Sequence, residues 1–510
     1  DRLGVSRQSV SKWEMDQALP QIDKIIQLTR MFGVSADQLL CDSAEIDLSV
    51  SPAAPSDAPD FKKKYFGTDG FRGMANVDVN ALQAFRIGRF VGWYYASPLS
   101  GCRRQGHRPR VVVGKDTRRS SYMFEYALAS GIACSGADVY MLHVTTTPSV
   151  SYVTRQEGFD CGIMISASHN PYTDNGIKLV NRYGEKMDIR TLSLCEAYLS
   201  GDLDALGVDG EDLPLATGEG IGAVIDHSAG RNRYVAYLIS IASHSYKNMR
   251  IGLDCANGAS WMIAPSVFDA LGAQTYIINN RPDGLNINRD AGSTHIEALQ
   301  ELVRENKLDA GFAFDGDADR CIAVDDRGNV VTGDHILYIL AKRFMDRGIL
   351  NSNGVVATVM SNSGLAKSLA NIGIDCIESA VGDQNVYDKM LEGEYMLGGE
   401  QSGHIIMQKY ATTGDGILTA IMLMEEIMDR KTSLSKLAAP LTVYPQILKN
   451  VRVCDKPAVG ADPEIQEKVG FLNKQFGDEG RIILRESGTE PVIRVMAEGS
   501  DSEFCRRAVD

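Results

Sequence analysis

No two of the chain's ten cysteines stand in a CxxC spacing; they are scattered along its length. That pattern suits reduced thiols better than a disulfide framework or a zinc site. No apolar run approaches a membrane span and no signal peptide is visible, so a cytoplasmic protein with no membrane partner is expected. Positive charge is also scarce: the net charge of −14 argues against a general nucleic-acid or membrane surface. An anionic ligand would have to be drawn in by a local basic pocket. The 510 residues, 44% of them hydrophobic, are ample for several domains with real cores.

Two short stretches carry the chemistry. One is "ISASHNPYTDNGIK", Ile165 to Lys178; the other is "FDGDADR", Phe314 to Arg320. A serine hydroxyl is a weak nucleophile alone, but beside a divalent cation a phosphorylated Ser168 can give up its phosphoryl group and take one back. Asp315, Asp317 and Asp319 alternate, with Gly316 between the first two, so three hard oxygen ligands can converge on Mg²⁺ or Ca²⁺. A plain acidic turn would need no such spacing. An EF-hand would need helices on both sides, Gly in place of Arg320 and Glu in place of Asp326. The flanks "AGFAF" and "CIAV" read instead as buried strands. "SASHNP" alone would pass for an ordinary turn. It follows the apolar run "CGIMISA", however, which puts Ser168 just past the C-terminal end of a strand, where open parallel sheets bind ligands.

Read coarsely, the chain repeats strand and helix. "RVVVG", "SYMFEYALASGIACSG", "ADVYMLHV", "TTPSVSYVTRQ" and "CGIMISA" alternate in this way. So do "MRIGLDCANG" through "AGFAFDG", and "GVVATVM" through "EYMLGGEQSG". The alternation predicts three doubly wound α/β units, each a parallel sheet with helices on both faces. From about Pro440 it is lost; "RIILRES" and "PVIRVMAEG" read as paired strands around a tight turn, so a fourth, α+β domain is expected. Its last segment, "SEFCRRAVD", reads as a helix cut off by the chain end. The expected boundaries are 61–218, 219–328, 329–440 and 441–510.

Residues 1–42 stand apart as a short all-α piece. "VSRQSVSKWE" and "LPQIDKIIQLTRMFGVSADQLL" resemble part of the helix-turn-helix of phage-repressor-type regulators, with Gln8, Ser9 and Lys12 on the groove-facing side. The resemblance lacks the first helix and most of the second, and the piece's charges nearly balance, so specific DNA binding is not expected. Residues 43–60, ending in "SPAAPSDAPD", read as a flexible linker.

Five motifs occur in order: "KYFGTDGFRG" (Lys64–Gly73), "SASHNP", "DGDADR", "GGEQSGH" (Gly398–His404) and "RESGTEPVIRVMAEG" (Arg485–Gly499). Together they resemble the α-D-phosphohexomutases from about Lys63 onward, and "GEQSGH", "TTGDG" and "SGTEP" are most similar to the phosphoglucosamine mutase branch.

That resemblance implies an intramolecular phosphotransferase working between glucosamine 6-phosphate and glucosamine 1-phosphate. Phosphorylated Ser168 gives its phosphoryl group to a hexose monophosphate, the bisphosphate turns end for end, and the other phosphate returns to Ser168. It implies Mg²⁺ held by Ser168, Asp315, Asp317 and Asp319, and a bisphosphorylated sugar as intermediate and activator. Lys178 would lie by the reacting phosphate as acid or base, Arg72 and His169 would support the phosphoserine, and Arg320 would steady the bisphosphate. His404 is a candidate acid or base, although a lone His after a Gly is more often structural. Glu400 and Ser402 would read sugar hydroxyls. Ser487, Gly488 and Thr489, between Arg485 and Arg494, offer N–H groups and hydroxyls to cradle the non-reacting phosphate. Arg72, Lys178, Arg320, Arg485 and Arg494 thus supply the local basic pocket.

One departure stands out: many phosphoglucosamine mutases carry basic residues at the places of Ala380 and Gln384, which this chain lacks, although Gly382 and Asp383 remain. The alternatives are a phosphoglucomutase or phosphomannomutase of the same superfamily and, from another class, a sugar-phosphate-sensing DNA-binding regulator. An intact Ser168 and three loop aspartates argue against the latter. A monomer or homodimer is expected.

Overall fold

The same strand order recurs in three successive sheets. The computed structural model of the chain describes residues 65–67, 70–101, 108–477, 480–486 and 492–510. The helix-turn-helix piece, the linker, Ser487, Gly488 and Thr489 lie outside these residues.

The first sheet holds β1 (Phe66–Gly67), β2 (Gly70–Met74), β3 (Arg110–Lys115), β4 (Asp138–Val144), β5 (Cys161–Ile165), β6 (Asp174–Asn181) and β7 (Val224–Asp226), in the order β1-β2-β6-β5-β3-β4-β7. The second holds β8 (Arg250–Asp254), β9 (Gln274–Ile278), β10 (Ala310–Phe314), β11 (Cys321–Val324) and β12 (Val330–Val331), ordered β12-β11-β10-β8-β9. The third holds β13 (Gly354–Thr358), β14 (Asp375–Ser379), β15 (Leu397–Gly399) and β16 (Ile405–Met407), ordered β14-β13-β15-β16. In each, three parallel strands stand third-first-second, and helices such as Arg119–Cys134 and Thr147–Gln156 form the crossovers.

The sheets are mixed rather than wholly parallel. After the third parallel strand the chain turns straight back, so β6, β11 and β16 pair antiparallel with β5, β10 and β15. A short connection can join only antiparallel neighbours. Each of these three connections is a signature loop: Ser166–Thr173, Asp315–Arg320 and Glu400–His404. Every residue of β5 and β10 is buried, as the apolar runs require. The strand β7, beyond residue 218, also joins the first sheet, beside β4.

Glycine permits one close helix contact. A Cβ at Gly131 would come within 2.1 Å of Phe85 O, so the helices Ala81–Ala96 and Arg119–Cys134 meet backbone to backbone there. The first helix begins on a capping box, with Asn80 accepting the Gln83 N–H and Gln83 returning the bond.

The C-terminal part is α+β. Strands β17 (Gln446–Arg452), β18 (Gly480–Glu486) and β19 (Val492–Gly499) form an antiparallel sheet ordered β17-β19-β18, with the helices Pro463–Phe476 and Ser502–Val509. Glu498, fully buried on β19, ties it to the third unit by accepting the Ser363 N–H at 2.9 Å, and within the sheet it also accepts from Arg481 Nε of β18 at 3.2 Å.

Candidate active site

The serine and aspartate loops face each other. Ser168, 2% exposed, takes a left-handed backbone with φ of 52°. That conformation costs a non-glycine residue about 1–2 kcal/mol. It aims Oγ across the domain junction, where the hydroxyl donates to Asp315 Oδ2 at 2.5 Å. His169 Nδ1 lies 3.5 Å from the same Oγ. Gly316 permits the approach, since a Cβ there would fall 2.5 Å from Ser168 O.

Asp315, Asp317 and Asp319 are all buried, and one oxygen of each lies within 4.8 Å of the others. Asp317 Oδ2 accepts from Lys178 Nζ at 2.8 Å and from Thr147 Oγ1 at 2.6 Å; Asp319 Oδ2 lies 3.6 Å from Lys178 Nζ. Among the described residues, Asp317 Oδ1 and Asp319 Oδ1 meet no hydrogen-bond donor. Two buried, unfilled carboxylate oxygens beside a third carboxylate are costly without a cation and fit a hard divalent ion. Burial and the charges of Asp319 and Asp317 push the Asp315 carboxyl well above the usual range. Asp319 goes the other way: against burial, Lys178, His404 and Arg320 hold it well below. The flanking β10 and β11 are strands, so the loop is no EF-hand.

Arg72 stands on β2 opposite Gly176 of β6, where a Cβ would collide with the Arg72 side chain. Burial first, then Arg320 and Arg72, lowers His169 to about 4. Its imidazole is therefore neutral at pH 7, able to donate one hydrogen bond but not to supply charge.

Glu400 Oε1 accepts the Gly382 N–H at 3.1 Å, and Ser402 Oγ lies 3.4 Å from Glu400 Oε2. His404 is buried behind the aspartate loop, Nδ1 3.7 Å from Asp319 Oδ2. Burial lowers its pKa, but Asp319, Asp383 and Glu400 outweigh that and bring it up to about 8. The Gly414 N–H nevertheless points at Nε2 from 3.0 Å and needs a lone pair there. That contact favours the neutral ring with its proton on Nδ1, the side that faces Asp319.

Arg485 and Arg494 pair directly in the β18–β19 register. Burial and the neighbouring Arg494 depress the Arg485 pKa, with Glu400 opposing. Like charges set opposite each other destabilise a sheet, and an anion between them removes the conflict.

A cavity of about 530 Å³ opens beside Lys178, Asp319 and Thr147 and runs between β6 and the helix Asp383–Glu392. At the loop that lacks basic residues at Ala380 and Gln384, Lys186 of the first unit reaches over, Nζ 2.6 Å from Asp383 Oδ1. Sequence reasoning missed Lys186 and Thr147, and also Arg118 and Asn288, which grip the serine loop. "KDTRRS" closes β3, so its position just past a strand end was the available signal.

The comparisons agree with this geometry. Residues 63–200, 232–328 and 332–444 match the profiles described as phosphoglucomutase/phosphomannomutase alpha/beta/alpha domains I, II and III, and 448–509 match the corresponding C-terminal domain. Residues 1–39 match a helix-turn-helix profile. A phosphoglucosamine mutase of Lachnospira eligens is 56% identical over 447 residues, spanning 88% of this chain and 97% of that protein. Another, from Lachnoclostridium phytofermentans, is 53% identical over 447 residues, 88% and 96% of the two chains. In fold, a phosphoglucomutase/phosphomannomutase family protein of Burkholderia thailandensis superposes with a TM-score of 0.71 at 22% identity, covering 87% of this chain and 94% of that one. The chain therefore belongs to the phosphoglucosamine mutases, isomerases of the phosphohexomutase superfamily.

Proposed function

We propose that the protein interconverts glucosamine 6-phosphate and glucosamine 1-phosphate in the cytoplasm, with Ser168 as phosphoryl carrier and a hexosamine bisphosphate as intermediate. One observation carries the reading: Ser168 Oγ sits 2.5 Å from Asp315 in a nest of three buried carboxylates. Beside it, two buried carboxylate oxygens that meet no donor among the described residues suit a cation and, in time, a phosphate.

Asp315, Asp317 and Asp319 would hold Mg²⁺ together with the phosphate of Ser168, and the ion would neutralise charge on the transferring phosphoryl group. The remaining work is positioning and charge. Lys178, held at Asp317, is the group proposed to exchange a proton at the reacting oxygen. Arg72 and Arg320 counter the phosphoryl charge, and neutral His169 offers a hydrogen bond. Glu400 and Ser402 take the sugar hydroxyls; one carboxylate accepting two hydroxyls suits a site that must accept the sugar in two orientations. Arg485 and Arg494, with Ser487, Gly488 and Thr489, hold the phosphate that is not reacting.

Coupled assays on glucosamine, glucose and mannose phosphates side by side, with Mg²⁺ and a hexose 1,6-bisphosphate present, test the reading. The expected result is the highest kcat/KM on glucosamine phosphate. A preference for glucose or mannose phosphate would reassign the substrate, and turnover by Ser168→Ala would remove the carrier.

A further inference from the structure

We infer that Arg118, together with Asn288, is the positioning residue that holds Ser168 in its strained, forward-aimed conformation. The inference rests on Ser168 being the phosphoryl carrier.

Arg118 follows β3 at the start of the helix Arg119–Cys134 and is 0% exposed. A guanidinium has five N–H donors in a fixed fork, and burial of one without partners is prohibitive. Here all five are used. Nε donates to Asp116 Oδ2 at 2.7 Å. One terminal nitrogen donates to Ser168 O and Asn170 O, each at 2.9 Å. The other donates to Pro171 O and, at 3.1 Å, to Asp174 O. Four of the five bonds therefore end on backbone carbonyls of the loop and its exit into β6. The only carboxylate is Asp116, which also accepts from Ser166 Oγ at 2.8 Å, and Ser166 Oγ in turn accepts the Ser168 N–H at 3.0 Å.

Asn288 reaches the same loop from the second unit. Its Nδ2 donates to Ser168 O at 2.8 Å and to Asn170 O at 2.9 Å, the two carbonyls that Arg118 also holds. Neither side chain touches Ser168 Oγ. Both fix the carbonyl side of a residue whose φ is 52°, and so fix where its hydroxyl points. A lysine at 118 would keep a charge against Asp116 but, with three donors on one atom, could not span the four carbonyls.

The experiment uses the full chain. Arg118→Lys, Asn288→Gly and the double variant are compared with Ser168→Ala. Glycine is chosen at 288 because φ there is 58°, which glycine adopts freely, so only the side chain is lost. Two readouts are taken: the rate at which the protein gains one phosphate from glucose 1,6-bisphosphate with Mg²⁺, by quenched intact-mass analysis, and kcat and KM with glucosamine 1-phosphate. Misplacing a reacting atom by about 1 Å costs on the order of 10²-fold. Folded Arg118→Lys is therefore expected to load phosphate and turn over ~100-fold more slowly with KM little changed, and Asn288→Gly ~10-fold more slowly. Because both release the same carbonyls, the double variant should lose less than the product of the two. Loading at the parent rate in folded Arg118→Lys overturns the inference; should that variant not fold, parent-rate loading in Asn288→Gly does so. A rise in KM with unchanged loading also overturns it. Ser168→Ala separates the two levels: phosphate uptake there removes the carrier itself, whereas its absence beside unimpaired positioning variants removes only the role of Arg118.

Discussion

The serine loop and the aspartate loop hold the same place in two copies of one strand order, yet they are stabilised in opposite ways. Behind Ser168 the carbonyls are saturated by Arg118 and Asn288, so the loop is complete as the chain folds it. Between Asp315 and Asp319 the carboxylates crowd one another and two oxygens meet no donor among the described residues, an arrangement that a cation would relieve. In the proposed mechanism the phosphoryl carrier is to be held rigid through the cycle, whereas the metal site is to leave room for what binds it. The same hairpin-like connection serves both because side chains from outside the loop decide which it becomes.

Breaking the carrier has the largest expected effect. Ser168→Ala should lower turnover by at least ~10³-fold, since loss of a nucleophile removes the covalent route. Intact-mass analysis should show a phosphate on the parent and none on the variant; normal turnover in the variant would end the mechanism.

Next comes the open loop. Asp317→Asn should cut kcat by about 10²-fold or more and raise the Mg²⁺ needed for half-activity. Full activity in excess EDTA would reduce "DGDADR" to an acidic turn.

Stability should separate the two loops further. Asp315 holds its proton more tightly when folded than when unfolded, so its contribution to stability is present at low pH and lost as pH rises past the unfolded carboxylate value of about 3.9. Metal-free Asp315→Asn should therefore melt above the metal-free parent at pH 7, with the order reversed in millimolar Mg²⁺. Calorimetry with and without Mg²⁺ checks this; a metal-free parent that melts higher than the variant would contradict it.

The smallest effect concerns residues 1–60, which contain none of the site residues. Deleting them should leave kcat and the Mg²⁺ requirement within about twofold, and the intact chain should bind no defined operator tightly at physiological salt. A collapse of activity on deletion, or nanomolar operator binding, would revive the regulator.

Much of this architecture was legible in the sequence because its signals are local. Alternating apolar runs and helical stretches gave three α/β units, and the spacing of Asp315, Asp317 and Asp319 matches the cluster that forms. The antiparallel returns β6, β11 and β16 were not read, since a buried run does not declare which neighbour it pairs with. Arg118 was passed over because an arginine opening a helix looks like a solvated surface residue. Its partners, at 168 to 174, are brought to it only by tertiary structure. Thr147 and Asn288 escaped for the same reason: one meets Asp317 and the other Ser168 O across a domain junction.

The glycines around the aspartate loop carry a consequence for the ion. A Cβ at Gly258 would strike Gly316 O at 2.5 Å, one at Gly414 would meet Asp319 O at 2.6 Å, and one at Gly416 would meet Arg320 O at 2.3 Å. The loop is thus walled by backbone from its own unit at Gly258 and from the third unit at Gly414 and Gly416, which leaves its main chain little space in which to retreat. A main chain held in this way limits how far the three carboxylates can spread for a larger guest, so radius, as well as charge, would bear on which ion is useful. Mg²⁺ takes its oxygens at about 2.0–2.1 Å and Ca²⁺ at about 2.3–2.6 Å. Ca²⁺ supplied in place of Mg²⁺ is therefore expected to support less turnover at saturation.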